Sequence, residues 1–389
     1  MKSTADVIII GAGAHGASLA CALARRGASV LVLERRHVAA GATGRSSGLV
    51  RMHYDLELEA RLAWASYPVF RDWQAAIGGE CGFTRTGFLF LARPSHNEAL
   101  RANVAMHRRL GIPTQVVSAS EVRRIAPLLA ADDFELAAYE PESGYADPTQ
   151  TASAFLRAAR DHGAHLLQDC PVTSIVIEAE RVSGVVTPEG RFSAPVVVNA
   201  AGAWAGPVAR LVGLDLPLDT WRHDVAFLRR PAALSADHPA VIDDVHSMYF
   251  RPETGGLTLV GLEDGNPIGL SPEDEERAAP EGFVDRAVDR LCRRIPGMQH
   301  GSLHSTHGGF DGITPDQRPL IGPAGPEGFF LDCGFSGTGF KISPAVGESL
   351  AHRILDGRYD PVDLSAFDAQ RFARGEPLRG EHPYEMIWR

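Results

Sequence analysis

The sequence predicts an α/β protein: a Rossmann-like nucleotide-binding domain joined to an α+β domain built on an antiparallel sheet. Three observations predict it. The chain opens with Asp6-Val7-Ile8-Ile9-Ile10-Gly11-Ala12-Gly13-Ala14-His15-Gly16 and returns to Val30-Leu31-Val32-Leu33-Glu34. The same order of apolar run, small-residue turn and helix recurs at residues 196–211 and again from residue 329. Between them, short β-rich runs at 223–228, 248–251 and 256–261 are joined by Pro and Gly turns, the pattern of an antiparallel sheet.

The opening stretch reads as strand, glycine turn, helix, strand, acid. Gly11, Gly13 and Gly16 have the G-x-G-x-x-G spacing, and Ala17, Ala20, Ala22 and Ala24 let the helix lie close to the sheet. The glycines serve a tight turn, backbone approach to a pyrophosphate, and helix-on-strand packing. The helix N-terminus offers free N–H groups to phosphates. Glu34 stands where an acid accepts hydrogen bonds from ribose hydroxyls and disfavours a 2′-phosphate. An ADP-bearing ligand follows.

At 389 residues the chain is long enough for two cores. Its formal charge of −10, with no basic block, argues against nucleic acid or an anionic membrane as partner. Five scattered cysteines (Cys21, Cys81, Cys170, Cys292, Cys333) form no C-x-x-C pair and no zinc spacing, so the expectation is a reduced cytoplasm and no metal. Residues 7–24 carry no formal charge, which a hydropathy scan reads as a signal peptide or span. Asp6 and the glycine spacing argue instead for the nucleotide turn, and no other stretch approaches spanning length.

After Glu34 come Arg35 and Arg36, then the glycine-rich loop Gly41-Ala42-Thr43-Gly44-Arg45-Ser46-Ser47-Gly48-Leu49-Val50-Arg51, whose backbone can approach a flat ring or a diphosphate. Arg51, in an apolar setting, either anchors a carboxylate or pairs with one of the chain's own acids. Periodicity predicts helices over 55–76, 97–110, 120–125, 149–162, 205–211 and 283–295. Strands are expected at 83–91, 164–167, 174–177, 182–187 and 196–199, with a crossover at 139–148. Residues 271–279 read as an acidic solvated loop or helix start, and the tail after Pro361 as peripheral packing. Near the C-terminus, Thr314-Pro315-Asp316-Gln317-Arg318 leads to Gly334-Phe335-Ser336-Gly337-Thr338-Gly339-Phe340-Lys341, with Ser343 as the N-cap and Pro344 as the first residue of a further helix.

These motifs carry a resemblance. Gly11 to Gly16 with Glu34, Asn199-Ala200-Ala201-Gly202-Ala203-Trp204, Thr314-Pro315-Asp316 and Gly334 to Lys341 resemble the FAD-dependent amino-acid and amine oxidoreductases related to D-amino acid oxidase. The likeness runs to the branch of sarcosine oxidase, its β subunit, dimethylglycine dehydrogenase and glycine oxidase. It implies an FAD-binding domain of the glutathione-reductase type from residues 1–84, 140–213 and 308–389, and a substrate domain from 85–139 and 214–307. By the same resemblance Glu34 holds the adenosine ribose, Arg35 lies by the adenine, and the backbone of Val172 meets it. Residues Thr43, Gly44, Arg45, Ser46, Ser47, Gly48 and Leu49 contact the pyrophosphate, ribityl chain and flavin. Ala200, Ala201, Gly202 and Trp204 belong to the second FAD turn, and Gly334 to Lys341 bind the cofactor, with Gly337 to Lys341 facing the pyrimidine side. Arg51 and Lys341 match the pair that binds a substrate carboxylate, and Tyr249 an active-site tyrosine.

Departures from the family pattern matter equally. Gly308-Gly309-Phe310-Asp311 replaces a flavin-tethering cysteine, and Arg45 stands where a tethering histidine would be, so the expected FAD is non-covalent. Thr258 stands where sarcosine oxidase has an oxygen-activating lysine, leaving oxidase and dehydrogenase both open. Asp311 occupies the place of a carboxylate-binding arginine, and either meets a cationic part of the substrate or pairs with Arg318. The resemblance implies hydride transfer from a small carboxylate-bearing amine to flavin N5, giving an imine that hydrolyses, with O2, a partner protein or a quinone as acceptor. The other readings are a flavin-carrying β-type subunit that relays electrons to a partner, and an NAD-linked dehydrogenase.

Overall fold

Val7, Ile8, Ile9 and Ile10 are all buried, and their strand Val7–Ile10 sits inside a six-stranded sheet. The order is Leu320–Pro323, Phe329–Cys333, Val196–Asn199, Val7–Ile10, Val30–Leu33, His165–Leu167. The last five run parallel, and Leu320–Pro323 closes one edge antiparallel. A parallel sheet covered on both faces requires continuous apolar strands. Val7, Ile9, Val30 and Val32 face the helices Ala14–Arg25, Pro148–Asp161 and Ser343–Asp356. Ile8, Ile10, Leu31 and Leu33 face a small antiparallel sheet of Ser174–Glu178, Arg181–Thr187 and Gly190–Ser193. The computed structural model describes residues 3–234, 237–274 and 278–385.

The expected antiparallel sheet is eight-stranded: Ser302–Ile313, Asp219–Arg229, Leu257–Leu262, Met248–Glu253, Ala240–Asp243, Phe88–Leu91, Leu136–Glu140, Gln115–Ser118. One pair departs from expectation, since Ala240–Asp243 runs parallel to Phe88–Leu91. The strand Ser302–Ile313 runs through the expected boundary at residue 308.

Several local expectations are corrected. The run 83–91 divides into Thr84–Arg85 and Phe88–Leu91, because Gly87 turns the chain at φ +75°. The helix over 55–76 is Glu57–Arg71 with a separate turn Trp73–Ala76. Ser343 is not an N-cap: a 3-10 turn, Phe340–Ile342, runs directly into Ser343–Asp356, and the Ser343 hydroxyl donates to the Phe340 carbonyl. Of the acidic segment 271–279, residues 275–277 lie outside the described residues, while Glu273 is ion-paired instead of merely solvated.

The tail is not peripheral. Leu364, Phe367, Arg371 and Tyr384 are buried. Arg371 reaches Asp316 through Nε and Nη2 at 2.8 and 2.9 Å, and so fastens the tail to the Thr-Pro-Asp turn. Arg318, two residues on, points the other way, donating to Asp55 Oδ1 at 2.6 Å and to Glu59 Oε2. Both acids have fully buried side chains. Asp311 is therefore not the partner of Arg318.

Removing the cation from a buried ion cluster strands its acids in a low-dielectric interior. Arg318→Ala is expected to cost about 3–5 kcal/mol of unfolding free energy. A denaturant titration would show this as a lowered midpoint at constant slope.

Candidate active site

One cleft lies beyond the C-terminal ends of the parallel strands, where open α/β sheets bind ligands. Gly11 makes it possible. Its φ is +112°, and a Cβ there would sit 2.5 Å from the carbonyl oxygen of Ala200. The first glycine turn and the second, at Ala200 and Ala201, are thus in backbone contact. Gly16 is equally constrained, since its Cβ would lie 2.2 Å from Gly11 O. Glu34 is held in place by the turn itself: Ala12 N donates to Oε2 at 2.9 Å and Arg36 N to Oε1 at 2.8 Å. Ala14 N donates to Thr43 Oγ1 at 3.0 Å, bringing the Thr43 loop over the helix start.

The first glycine turn meets the C-terminal glycine loop at His15. Its ring stacks on Phe335 at 3.5 Å, and Nε2 lies 3.1 Å from Gly339 O. Asp332 faces the same cleft, 1% exposed, with His15 Nδ1 3.4 Å away and neither carboxylate oxygen hydrogen-bonded. A buried carboxylate without donors suits a ligand rich in hydroxyls. Around Glu34 the cleft is walled by Cys170, Pro171, Val172 and Trp204. Arg35 lies 4.7 Å above the Trp204 ring, and Glu273 accepts from both Arg35 nitrogens and from Trp204 Nε1, each at 2.7 Å. A glycine turn open to phosphates, an acid beside a hydroxyl-binding site and an orphaned Asp332 together fit FAD, the group expected from the sequence.

Leu49, Arg51, Tyr249, Asp311, Phe340 and Lys341 line the cleft where the eight-stranded sheet approaches it. Arg51 is 1% exposed and Lys341 6%. The Arg51 guanidinium lies 4.5 Å, and Lys341 Nζ 5.6 Å, from the centre of the same Tyr54 ring. Burial first, then repulsion from Arg51, pushes the Lys341 ammonium well below its ordinary pKa, with Glu59 opposing the shift. Tyr249 is buried, and desolvation raises its phenol above the usual range. Its ring lies directly over Gly261, where a Cβ would come within 2.3 Å of the ring. Asp311 accepts from Gly337 N at 2.6 Å and Gly312 N at 2.8 Å, and burial pushes its carboxyl upward.

Of the expected site residues, Gly11, Gly13, Ala14, His15, Glu34, Arg35, Thr43, Arg45, Ser46, Ser47, Val172, Ala200, Ala201, Gly202, Trp204, Phe335, Gly337 and Gly339 also line the cleft. Ala12, Gly16, Gly44, Gly48, Gly334, Ser336 and Thr338 shape its loops without lining it. Gly48, for instance, has φ +66° and passes against Ala146 O. Thr258 is not brought to the site. Strand alternation sends Leu259 and Gly261 toward Tyr249, so Thr258 faces the other way and meets His238 Nε2 at 3.1 Å.

The sequence reading missed Asp332 and His223. His223, on Asp219–Arg229, lines the cleft and is held neutral by burial, its pKa lowered to about 3. Nothing local to that strand marks this histidine. Asp332 carried a weak signal, an acid just before a glycine turn.

A family model described as FAD dependent oxidoreductase matches residues 6–353. Mitochondrial sarcosine dehydrogenase of Homo sapiens is 32% identical over 387 residues, 96% of this chain and 42% of that protein. Sarcosine oxidase subunit beta of an Arthrobacter species is 27% identical, over 98% of this chain and 94% of that one. Among solved structures, L-proline dehydrogenase from P. horikoshii superposes with a TM-score of 0.91 at 27% identity, covering 97% of this chain and 100% of that one. The chain spans less than half the length of the mitochondrial relatives it matches. Among the described residues no helix is long and apolar enough to cross a membrane.

Gly11→Val places a branched side chain at positive φ against Ala200 O. The purified variant should lose nearly all visible flavin absorbance per chain while wild type retains it.

Proposed function

The chain belongs to the DAO family of FAD dependent oxidoreductases, and on that premise we propose that it oxidises the C–N bond of a small amino acid or N-alkyl amino acid. Buried Arg51 and Lys341, sharing the Tyr54 ring at the cleft, carry this reading. A carboxylate held by both side chains fixes the neighbouring C–H in one orientation. Bound FAD, held non-covalently by the Gly11, Glu34, Thr43 and Gly337 segments, supplies the two-electron acceptor. The substrate amine must lose its ammonium proton to become a donor, and the low-polarity wall of Tyr249, Ile242 and Phe310 favours the neutral form. No protein base is required beyond that, and water hydrolyses the imine product. Residues 1–84, 140–213 and 308–389 are the cofactor-binding domain in this reading, and 85–139 with 214–307 the substrate domain. Five unpaired cysteines suit the reducing cytoplasm in which we place it.

A second reading is a flavin-carrying β-type subunit that passes electrons to a partner. The match over 94% of a sarcosine oxidase β subunit favours it. Thr258, turned away from the cleft, offers no cation for oxygen activation there, so a quinone or protein acceptor stands beside O2.

Anaerobic addition of sarcosine, dimethylglycine, proline and D-amino acids should bleach the flavin with at least one of them. A flavoprotein bleached by none, but by carboxylate-free amines, overturns the carboxylate clamp. Rapid bleaching with turnover only on adding an artificial acceptor selects the dehydrogenase or subunit reading. Lys341→Ala should raise KM by about thirtyfold or more, some 2 kcal/mol, with a smaller effect on kcat.

Carboxylate binding also carries a proton. Lys341 has a depressed pKa, and a bound anion raises it, so binding takes up a proton wherever free Lys341 is neutral. Affinity for a carboxylate inhibitor should therefore fall with rising pH, by up to about tenfold per unit, as read from flavin difference spectra. Lys341→Met should flatten that profile.

A further inference from the structure

Behind Arg51, outside the cleft, lies a second cluster of chemistry-bearing residues that the redox reading does not use. His53 follows the short strand Leu49–Val50, His107 sits on the helix Asn97–Arg109, and Glu140 ends the strand Leu136–Glu140. All three are fully buried. One ligand atom from each lies within 4.8 Å of those of the other two.

Each of the three is tied on its outer side. His107 Nε2 lies 2.7 Å from the Tyr54 carbonyl and 3.3 Å from Tyr54 N, so that backbone orients the ring. His53 Nε2 lies 2.9 Å from the Tyr384 hydroxyl. Glu140 Oε2 accepts from Met52 N at 2.9 Å and Ser143 Oγ at 2.6 Å. What remains is His53 Nδ1, His107 Nδ1 and Glu140 Oε1, and none of them has a hydrogen-bond partner. Clustered buried side chains, each with one atom held by a hydrogen bond and another without a partner, are the arrangement found around metal ligands.

We propose that His53, His107 and Glu140 form a buried site for a divalent cation of the zinc class. Two imidazoles and a carboxylate are a borderline donor set suited to zinc, and three protein ligands leave one position for water. Bonds of about 2.0–2.1 Å imply ligand separations of about 3.3 Å, so the cluster tightens around the ion. Arg51 faces all three residues and opposes a cation, and the Glu140 carboxylate offsets it. Such an ion would bind the segment carrying Arg51 and Tyr54 to the helix and the strand behind it. It would thereby fix the floor of the cleft without touching the reacting atoms.

The test uses the full chain with its flavin, free of any metal-affinity tag, loaded with Zn2+ and dialysed into metal-free buffer. Elemental analysis should find about one zinc per chain, and Co2+ in its place should give tetrahedral d–d bands at longer wavelength than the flavin. Zinc retention should fall below about a fifth in His107→Gln and Glu140→Gln. Tyr384→Phe, which removes only the oxygen behind His53, should weaken retention about tenfold. Chelator-stripped wild type should gain thermal stability on adding Zn2+, and Glu140→Gln should not. The proposal is overturned by a wild type that holds no zinc and shows neither cobalt bands nor a thermal shift. Equal zinc in the wild type and both ligand variants overturns it too.

Discussion

The cleft depends on one buried ion cluster. Arg318 sits between Asp55 and Glu59, all three out of water, and links the C-terminal Thr-Pro-Asp turn to the start of the helix Glu57–Arg71. Desolvating three charges is costly, and geometry alone recovers it. That geometry has a consequence for the site. Asp55, held by Arg318, anchors the end of the segment in which Arg51 lies over the Tyr54 ring. The helix Glu57–Arg71 also holds the Lys341 turn, since Ser66 Oγ accepts from Ala345 N at 3.0 Å. Residues almost three hundred positions apart thereby come to share one aromatic ring.

The two ends of the cleft use opposite electrostatics. At the sheet end, the acids Glu34 and Asp332 stand among small residues and backbone N–H groups, a surface for hydroxyls and phosphates. At the far end, Arg51 and Lys341 are buried, and burial followed by the nearby Arg51 raises the cost of the Lys341 charge. A carboxylate bound beside Lys341 would relieve that shift and so gain affinity from it. The aromatic face of Tyr54 offsets part of the charge while the cleft is free of substrate.

What was legible in the sequence follows from locality. The strand–glycine–helix segments declare themselves within some thirty residues, because a tight turn packed against the Ala200 carbonyl leaves no alternative to glycine at φ +112°. Resemblance then added Arg51, Tyr249 and Lys341, all three in the cleft. Thr258 misled because a residue's place in a strand does not reveal which face it takes. The pairing of Tyr249 with Gly261 fixes that face. The tail misled for a related reason: its polar composition conceals Leu364, Phe367 and Tyr384, which find their places only against other segments.

By itself, then, the sequence determined the parallel sheet and its glycine turns, since each rests on short-range pattern. The tertiary structure decided the rest. It sent Arg318 to Asp55 and Glu59 and left Asp311 to the backbone of Gly337. It placed His223 and Asp332 in the cleft, and it gathered His53, His107 and Glu140 behind Arg51. Those pairings join residues tens to hundreds of positions apart, and which buried charge meets which partner is settled by the whole packing, not by any neighbourhood in the chain.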